Sequence, residues 1–345
     1  MKKLLSILLA GMMLAGCGQA TDSGIAEEAA KGAEEIKEQV EESVKEEGLT
    51  AFFEKLQETA GENSEFKILT PSGAPALSLI PAMLGSDVTV VDGADALQAA
   101  LVNPTPEYDM IVAPSNLGMK LAASGKSPYK MLGVLTWGNL YIVGEKGTSN
   151  DASTWENVAS FGQESVTGKV FASVYGEDLN LDDVTWYNST AEASAALIAG
   201  DAKVAMLAEP NATATIAKAK ENGVELEIID DIQARYAGAT GLGFPQAALF
   251  VNEEVYNEKK DKIDGMFNLL TMFSSDIHKL SAEEIGQLVD LAGGAEKFGV
   301  PNAQIVGKVW DRLNINVQKA SDYEDRLQDF GTMFGIEDVS SAILK

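Results

Sequence analysis

A chain of 345 residues with 46% apolar side chains is long enough for two lobes of ordinary domain size, each with its own core. Its formal charge of −26, from 52 acidic and 26 basic residues, opposes nucleic acid or anionic lipid as a partner of the folded surface. The lone cysteine, Cys17, excludes an internal disulfide and a multi-cysteine metal site, and the lone histidine, His278, excludes a histidine-based metal centre.

The chain starts with Lys2 and Lys3, followed by an apolar run from Leu4 to Ala15 that is too short for the ~20 residues of a membrane span. The segment Leu14-Ala15-Gly16-Cys17 resembles a bacterial lipobox. That resemblance implies that residues 1–16 are a signal peptide, and that Cys17 carries a lipid and tethers the protein to the outer face of the cell membrane. Residues 17–60 then read as an acidic, partly helical linker. Ala, Glu and Lys favour helix, and like charges extend the segment. Ile36, Val40 and Val44 form one thin stripe, which also leaves a partner-binding helix open. Leu49–Ala60, with Phe52, Phe53 and Leu56, is expected to dock on the folded body.

From Phe66 onward strands and helices alternate. Strands are expected at 66–70, 87–91 and 108–113, with helices at 76–84, 94–102 and from Leu117. Met131–Val143, interrupted by Gly133 and Gly138, is too long for one strand and is expected to leave one lobe and enter another. The second series has a helix at 155–161, strands at 169–174, 184–187, 204–207 and 226–229, and helices at 191–199 and 212–221. Gln246–Val251 reads as the strand that crosses back, and the remainder as mostly helical. Continuous apolar runs separated by helices predict α/β lobes with parallel sheets, and ligands in such folds sit beyond the carboxyl ends of the strands.

Three segments carry a family resemblance: Ser72-Gly73-Ala74-Pro75-Ala76 after the first strand, DMIVAPSN over 109–116, and DAKVAMLAEPNATATIAKA over 201–219. With the lipobox, they make residues 66–345 resemble the substrate-binding lipoproteins of ABC importers. The branch is the nitrate/sulfonate/bicarbonate and thiamine-pyrimidine-precursor group. The resemblance implies a two-lobed type II periplasmic-binding-protein fold with two hinge crossings. Lobe 1 is expected to comprise 66–136 and 247–345, and lobe 2 137–246. In the third segment Leu207-Ala208 stand where the family has an aromatic residue before Glu209.

The predicted cleft loops supply the ligand-binding candidates Ser72, Gly73, Ala74, Ser115, Asn116, Trp137, Tyr175, Gly176, Glu209 and Asn211. Gly73 and Ala74 admit close backbone approach, and Ser72 and Ser115-Asn116 either cap a helix or touch ligand. Trp137 and Tyr175 offer stacking faces, with hinge packing the other reading for Trp137, and Glu209 and Asn211 offer polar contacts. Tyr236 and Phe244 are further candidates, read more readily as core. None of the three arginines (Arg235, Arg312, Arg326) falls in a predicted strand-end loop. The expected ligand is therefore a heteroaromatic vitamin or pyrimidine precursor, with a sulfonate- or nitrate-type oxyanion as the alternative. His278 lies far from every predicted loop, so nucleophilic catalysis in the cleft is not expected, nor is any cofactor or bound metal. The resemblance implies a monomer that closes on a small molecule, flexing at Gly133, Gly138, Gly241 and Gly243, and delivers it to an ABC permease and its ATPase. An enzyme on the same fold and a ligand-sensing surface lipoprotein with no transport role are the rival readings.

Overall fold

A computed structural model of the chain describes residues 48–56, 65–237 and 241–345. The lipobox at Cys17, the linker up to residue 47, residues 57–60 of the docking segment and the signal peptide all lie outside them. Within Ala51–Lys345, which form one compact unit, the strands sort into two sheets. The ring of Phe52 lies 6.4 Å from that of Phe273, so this part of the docking segment meets the body.

The first sheet has six strands: β1 (Lys67–Pro71), β2 (Asp87–Val91), β3 (Met110–Pro114), β4 (Tyr129–Thr136), β10 (Ala247–Asn252) and β11 (Ile315–Lys319), in the order β11-β4-β10-β3-β1-β2. β1 runs parallel to β2 and β3, and β10 runs antiparallel between β3 and β4. Met110 to Ala113 and all six residues of β10 are buried, as expected of central strands covered on both faces. The second sheet takes β5 (Leu140–Glu145), β6 (Val158–Phe161), β7 (Thr185–Tyr187), β8 (Val204–Ala208) and β9 (Leu226–Asp231), in the order β7-β6-β8-β5-β9.

Two expectations fail in the second sheet. Residues 169–174 are not a strand; they lie in the helix Val166–Tyr175, where Val166, Val170, Phe171 and Tyr175 are buried at helical spacing. Residues 155–161 are not a helix. A short 3-10 turn at Ala152–Thr154 precedes β6, which pairs in parallel with both β7 and β8. The apolar run KVFASV suits either state locally, and the pairing demand of a central strand is met by Val158–Phe161 instead.

The chain passes from the first sheet to the second through only three residues, Trp137-Gly138-Asn139, and returns through the segment ending at Gln246. The two passages touch. A Cβ placed on Gly243 would stand 1.8 Å from the carbonyl oxygen of Trp137, and one on Gly138 (φ 92°) would meet the Phe244 ring and Gln233. Gly133, in contrast, sits inside β4 between Leu249 and Lys319, with its open face filled by the Phe267 ring, so it is a packing glycine and not a hinge.

Gly243→Ala is accordingly expected to destabilise the fold by about 1–3 kcal/mol through overpacking against backbone that has no freedom to withdraw. Urea unfolding followed by circular dichroism checks this, and an unchanged midpoint would show that the passages are looser than the geometry requires.

Candidate functional site

Both sheets turn the carboxyl ends of their parallel strands toward one cavity of about 500 Å³. The first sheet contributes Pro71 to Pro75, Ala94, Gln98, Pro114, Asn116, Leu117, Ala247 and Gly299. The second contributes Phe161, Ser165, Val166, Thr167 and the run Ala208 to Asn211, and Asn139 and Gln246 come from the two passages. The volume suits a small organic molecule, and most of the wall is apolar.

Three helices of more than two turns begin at this cavity: Ser115–Ala123, Val166–Tyr175 and Asn211–Glu221. None receives a side-chain hydrogen bond from its N-cap residue. The helices at Thr190–Ala199, Glu253–Asp276 and Ala282–Leu291, which begin elsewhere, are capped by Ser189, Asn252 and Ser281. Three of their first-turn amides are already taken, Ser115 by the Gln246 carbonyl, Gly168 by the Gly162 carbonyl and Thr213 by Glu209 Oε2, while the positive ends of the three helix dipoles face the cavity.

Of the ten candidates, the cavity gathers Ser72, Gly73, Ala74, Asn116, Glu209 and Asn211. The Ser72 and Gly73 amides are already committed, donating to the Val91 and Phe298 carbonyls at 3.0 and 2.7 Å, so these residues shape the wall and do not supply those N–H groups. Ser115 lies beneath the surface; its amide donates to the Gln246 carbonyl and its buried Oγ has no partner. Trp137 is not in the cavity. Its indole is buried and donates to the Asn316 carbonyl at 2.8 Å, with Arg326 over the ring and Tyr323 at its edge. Tyr175 and Gly176 are not there either, because they form the far end of the helix that begins at the cavity. Tyr175 is fully buried and donates to Asp230 Oδ2 at 2.8 Å, while a Cβ at Gly176 would meet the Ala172 carbonyl.

The structure adds residues that the sequence reading missed. Phe161, Ser165, Val166 and Thr167 occupy the place assigned to Tyr175, and the signal was present: Gly162 and Ser165 precede an apolar set at helical spacing. Asn139 donates to the Glu209 carbonyl at 2.7 Å and accepts from Gln246 at 2.9 Å. Asn116 Oδ1 and Gln246 Oε1 are buried acceptors with no partner. Arg312 reaches Glu209 Oε1 at 2.7 Å, so the one carboxylate on the wall is neutralised by a residue off it. No lysine or arginine is on the wall, and among the described residues no group of His, Cys, Asp or Glu side chains is arranged to hold a metal ion. His278 pairs with Asp311 at 2.8 Å in a separate polar hollow that shares no residue with the cavity. Phe244 is core, and Tyr236 packs edge-on against it at 5.8 Å.

Burial, first of all, raises the hydroxyls of Tyr129 (to about 12), Tyr141 and Tyr175, with the charges of Asp231 and Asp230 adding to it at Tyr141 and Tyr175.

No protein-family model matches the chain, and no curated protein sequence matches it either. Solved structures do match in fold. An ABC transporter protein from Parabacteroides distasonis is 19% identical, with a TM-score of 0.63 over 81% of this chain and 95% of that one. The periplasmic aliphatic sulphonate binding protein of Escherichia coli is 12% identical, with a TM-score of 0.58 over 82% and 92%. The alkanesulfonate-binding protein of Xanthomonas axonopodis pv. citri, bound to MOPS, is 15% identical, with a TM-score of 0.57 over 81% and 98%. The architecture is therefore α/β and two-lobed, that of a type II periplasmic binding protein.

The raised tyrosines carry a pH signature. Above the ordinary tyrosine value of 10.0 the unfolded chain loses protons that the folded chain keeps at Tyr129, Tyr141 and Tyr175, so stability is complete below about pH 10 and falls as pH rises beyond it. Each tyrosine contributes a slope of up to ~1.4 kcal/mol per pH unit. Urea midpoints measured from about pH 8 to about pH 12 are expected to decline over the upper half of that range. A flat profile there would contradict the burial of these hydroxyls.

Proposed function

We propose that this chain is the solute-binding component of an ABC import system, which captures a small organic anion with an apolar body between its lobes. One observation carries the ligand class: three helix starts, two of them without any side-chain cap, converge on a mainly apolar cavity with no cationic side chain on its wall. Helix N-termini bind compact oxyanions through N–H groups and dipoles, and need no lysine or arginine to do so. The fold's likeness to binding proteins for aliphatic sulphonates and alkanesulfonates supports the same choice. The placement of Trp137 and Tyr175 outside the cavity removes the two stacking faces on which a heteroaromatic ligand was expected.

In this reading residues 66–136 with 247–345 form one lobe and 137–246 the other, closing as a monomer about the passages at Trp137–Asn139 and Gly241–Gln246. The apolar body lies against Phe161, Leu117 and Val166, and the head meets the first turns at Asn116, Thr167 and Asn211. Closure delivers the ligand to a membrane permease driven by its ATPase, and lipidated Cys17 holds the protein at the extracytoplasmic face. Nothing in the cavity resembles a nucleophile with its base, in keeping with a binding role in place of catalysis.

A second ligand class is favoured by one observation. The unpartnered acceptors Asn116 Oδ1 and Gln246 Oε1 suit ring N–H donors, as a pyrimidine or vitamin precursor would offer.

A thermal-shift screen of the full-length protein separates the two. Short alkanesulfonates and alkyl carboxylates are expected to raise the melting temperature, since ligand at 100-fold its Kd stabilises by about 2.7 kcal/mol, and neutral pyrimidines are not. The reverse pattern would move the assignment to the second class. Phe161→Ala and Asn116→Ala are each expected to weaken the best hit at least tenfold by titration calorimetry, and unchanged affinity in both would remove the cavity assignment.

A further inference from the structure

Glu209 follows β8 of the second sheet, lines the cavity, and has a fully buried side chain. Its Oε1 accepts from Arg312 Nε at 2.7 Å and from Thr213 Oγ1 at 2.8 Å, and its Oε2 accepts from the Thr213 amide at 3.1 Å. Arg312 Nη2 donates to Thr213 Oγ1 at 2.8 Å, which closes the cluster. The two halves of the ion pair come from different sheets. Thr213 and Glu209 belong to the second, while Arg312 sits in the turn Trp310–Leu313 that leads directly into β11 of the first. The Arg312 carbonyl also accepts from Tyr141 of β5 at 3.1 Å, so the turn spans the junction of the sheets at two points.

A carboxylate buried this deeply is tolerated because a guanidinium faces it; without that partner the desolvated charge is strongly unfavourable. The partner is supplied by the opposite lobe. Thr213 can stay with Glu209 through any movement of the lobes, but it brings no charge.

We infer that the Arg312–Glu209 pair is a closure-dependent charge switch for ligand: neutral when the lobes meet, so that the cavity holds an anion, and negative when they part, so that the anion is expelled. The inference rests on the anion-capture reading above. With the lobes together, an anion at the three helix starts meets a compensated Glu209. When the lobes separate, Arg312 withdraws with the first sheet, and Glu209 faces the anionic head at the start of Asn211–Glu221. Release is thereby coupled to opening through a residue that is not on the cavity wall.

The test measures the ratio of affinities of the full-length protein for butanesulfonate and its uncharged isostere butanesulfonamide, by titration calorimetry. Arg312→Gln is expected to lower the sulfonate preference at least tenfold, Arg312→Lys to retain it, and the double variant Arg312→Gln with Glu209→Gln to restore it to near the wild-type ratio. Using the ratio removes any general loss of affinity from altered closure or folding. Small-angle scattering of the ligand-free protein forms a second arm: Arg312→Gln is expected to show a larger radius of gyration than wild type and Arg312→Lys is not. If wild type binds neither sulfonates nor other anions, the anion-capture reading fails and this inference goes with it. If wild type binds sulfonate but the variants share its ratio, or the double variant does not recover it, the charge switch alone is overturned. Equal radii for wild type and Arg312→Gln overturn its dependence on closure.

Discussion

The shortness of the first passage between the sheets constrains everything built around the cavity. Three residues, Trp137 to Asn139, carry the chain from Thr136 of one sheet to Leu140 of the other, so the facing strand ends are held close. The second passage must run against the first, and Gly243 meets the Trp137 carbonyl where any side chain would collide. Arg326 fastens the arrangement by lying over the Trp137 ring and donating to the Leu242 and Gly243 carbonyls. The amides of Asn139 and Gln246 continue the contact to the cavity, where Asn139 holds the Glu209 carbonyl. The two passages and the cavity wall are one hydrogen-bonded structure.

The electrostatics work on two length scales that oppose each other. The whole chain carries −26 and repels anions at long range, but in physiological salt this field decays over about 8 Å. Inside the cavity the relevant charges are local: three positive helix ends and one carboxylate already matched by Arg312. Apolar walls strengthen those short-range terms by excluding water. On the anion-capture reading proposed above, the cavity attracts what the surface repels, and affinity comes from oriented N–H groups at contact distance.

Much of this plan can be read along the chain. Alternating apolar runs and helical stretches announce two α/β halves, and the turns at Ser72–Ala74, Asn116 and Glu209–Asn211 do reach one cavity, because loops after parallel strands share an edge of their sheet. The errors have specific causes. KVFASV satisfies the strand and helix patterns equally in isolation, and only the pairing of Val158–Phe161 with β7 and β8 decides between them. Once the helix is known to begin at Val166, Tyr175 and Gly176 fall at its far end, and Ser165–Thr167 take their place at the cavity.

By itself, then, the order of residues determined the alternation of elements, the break near Trp137 and the loops that could meet a ligand, since these follow from local periodicity, glycine placement and strand polarity. Tertiary structure alone decided which way side chains face and which distant partners they find. Trp137 turns its N–H to Asn316 instead of the cavity, and Glu209 is matched by an arginine 103 positions away. The physical reason is that the carboxylate at Glu209 needs a counter-charge only because folding buries it, and which guanidinium arrives is settled by how β11 is brought beside β4.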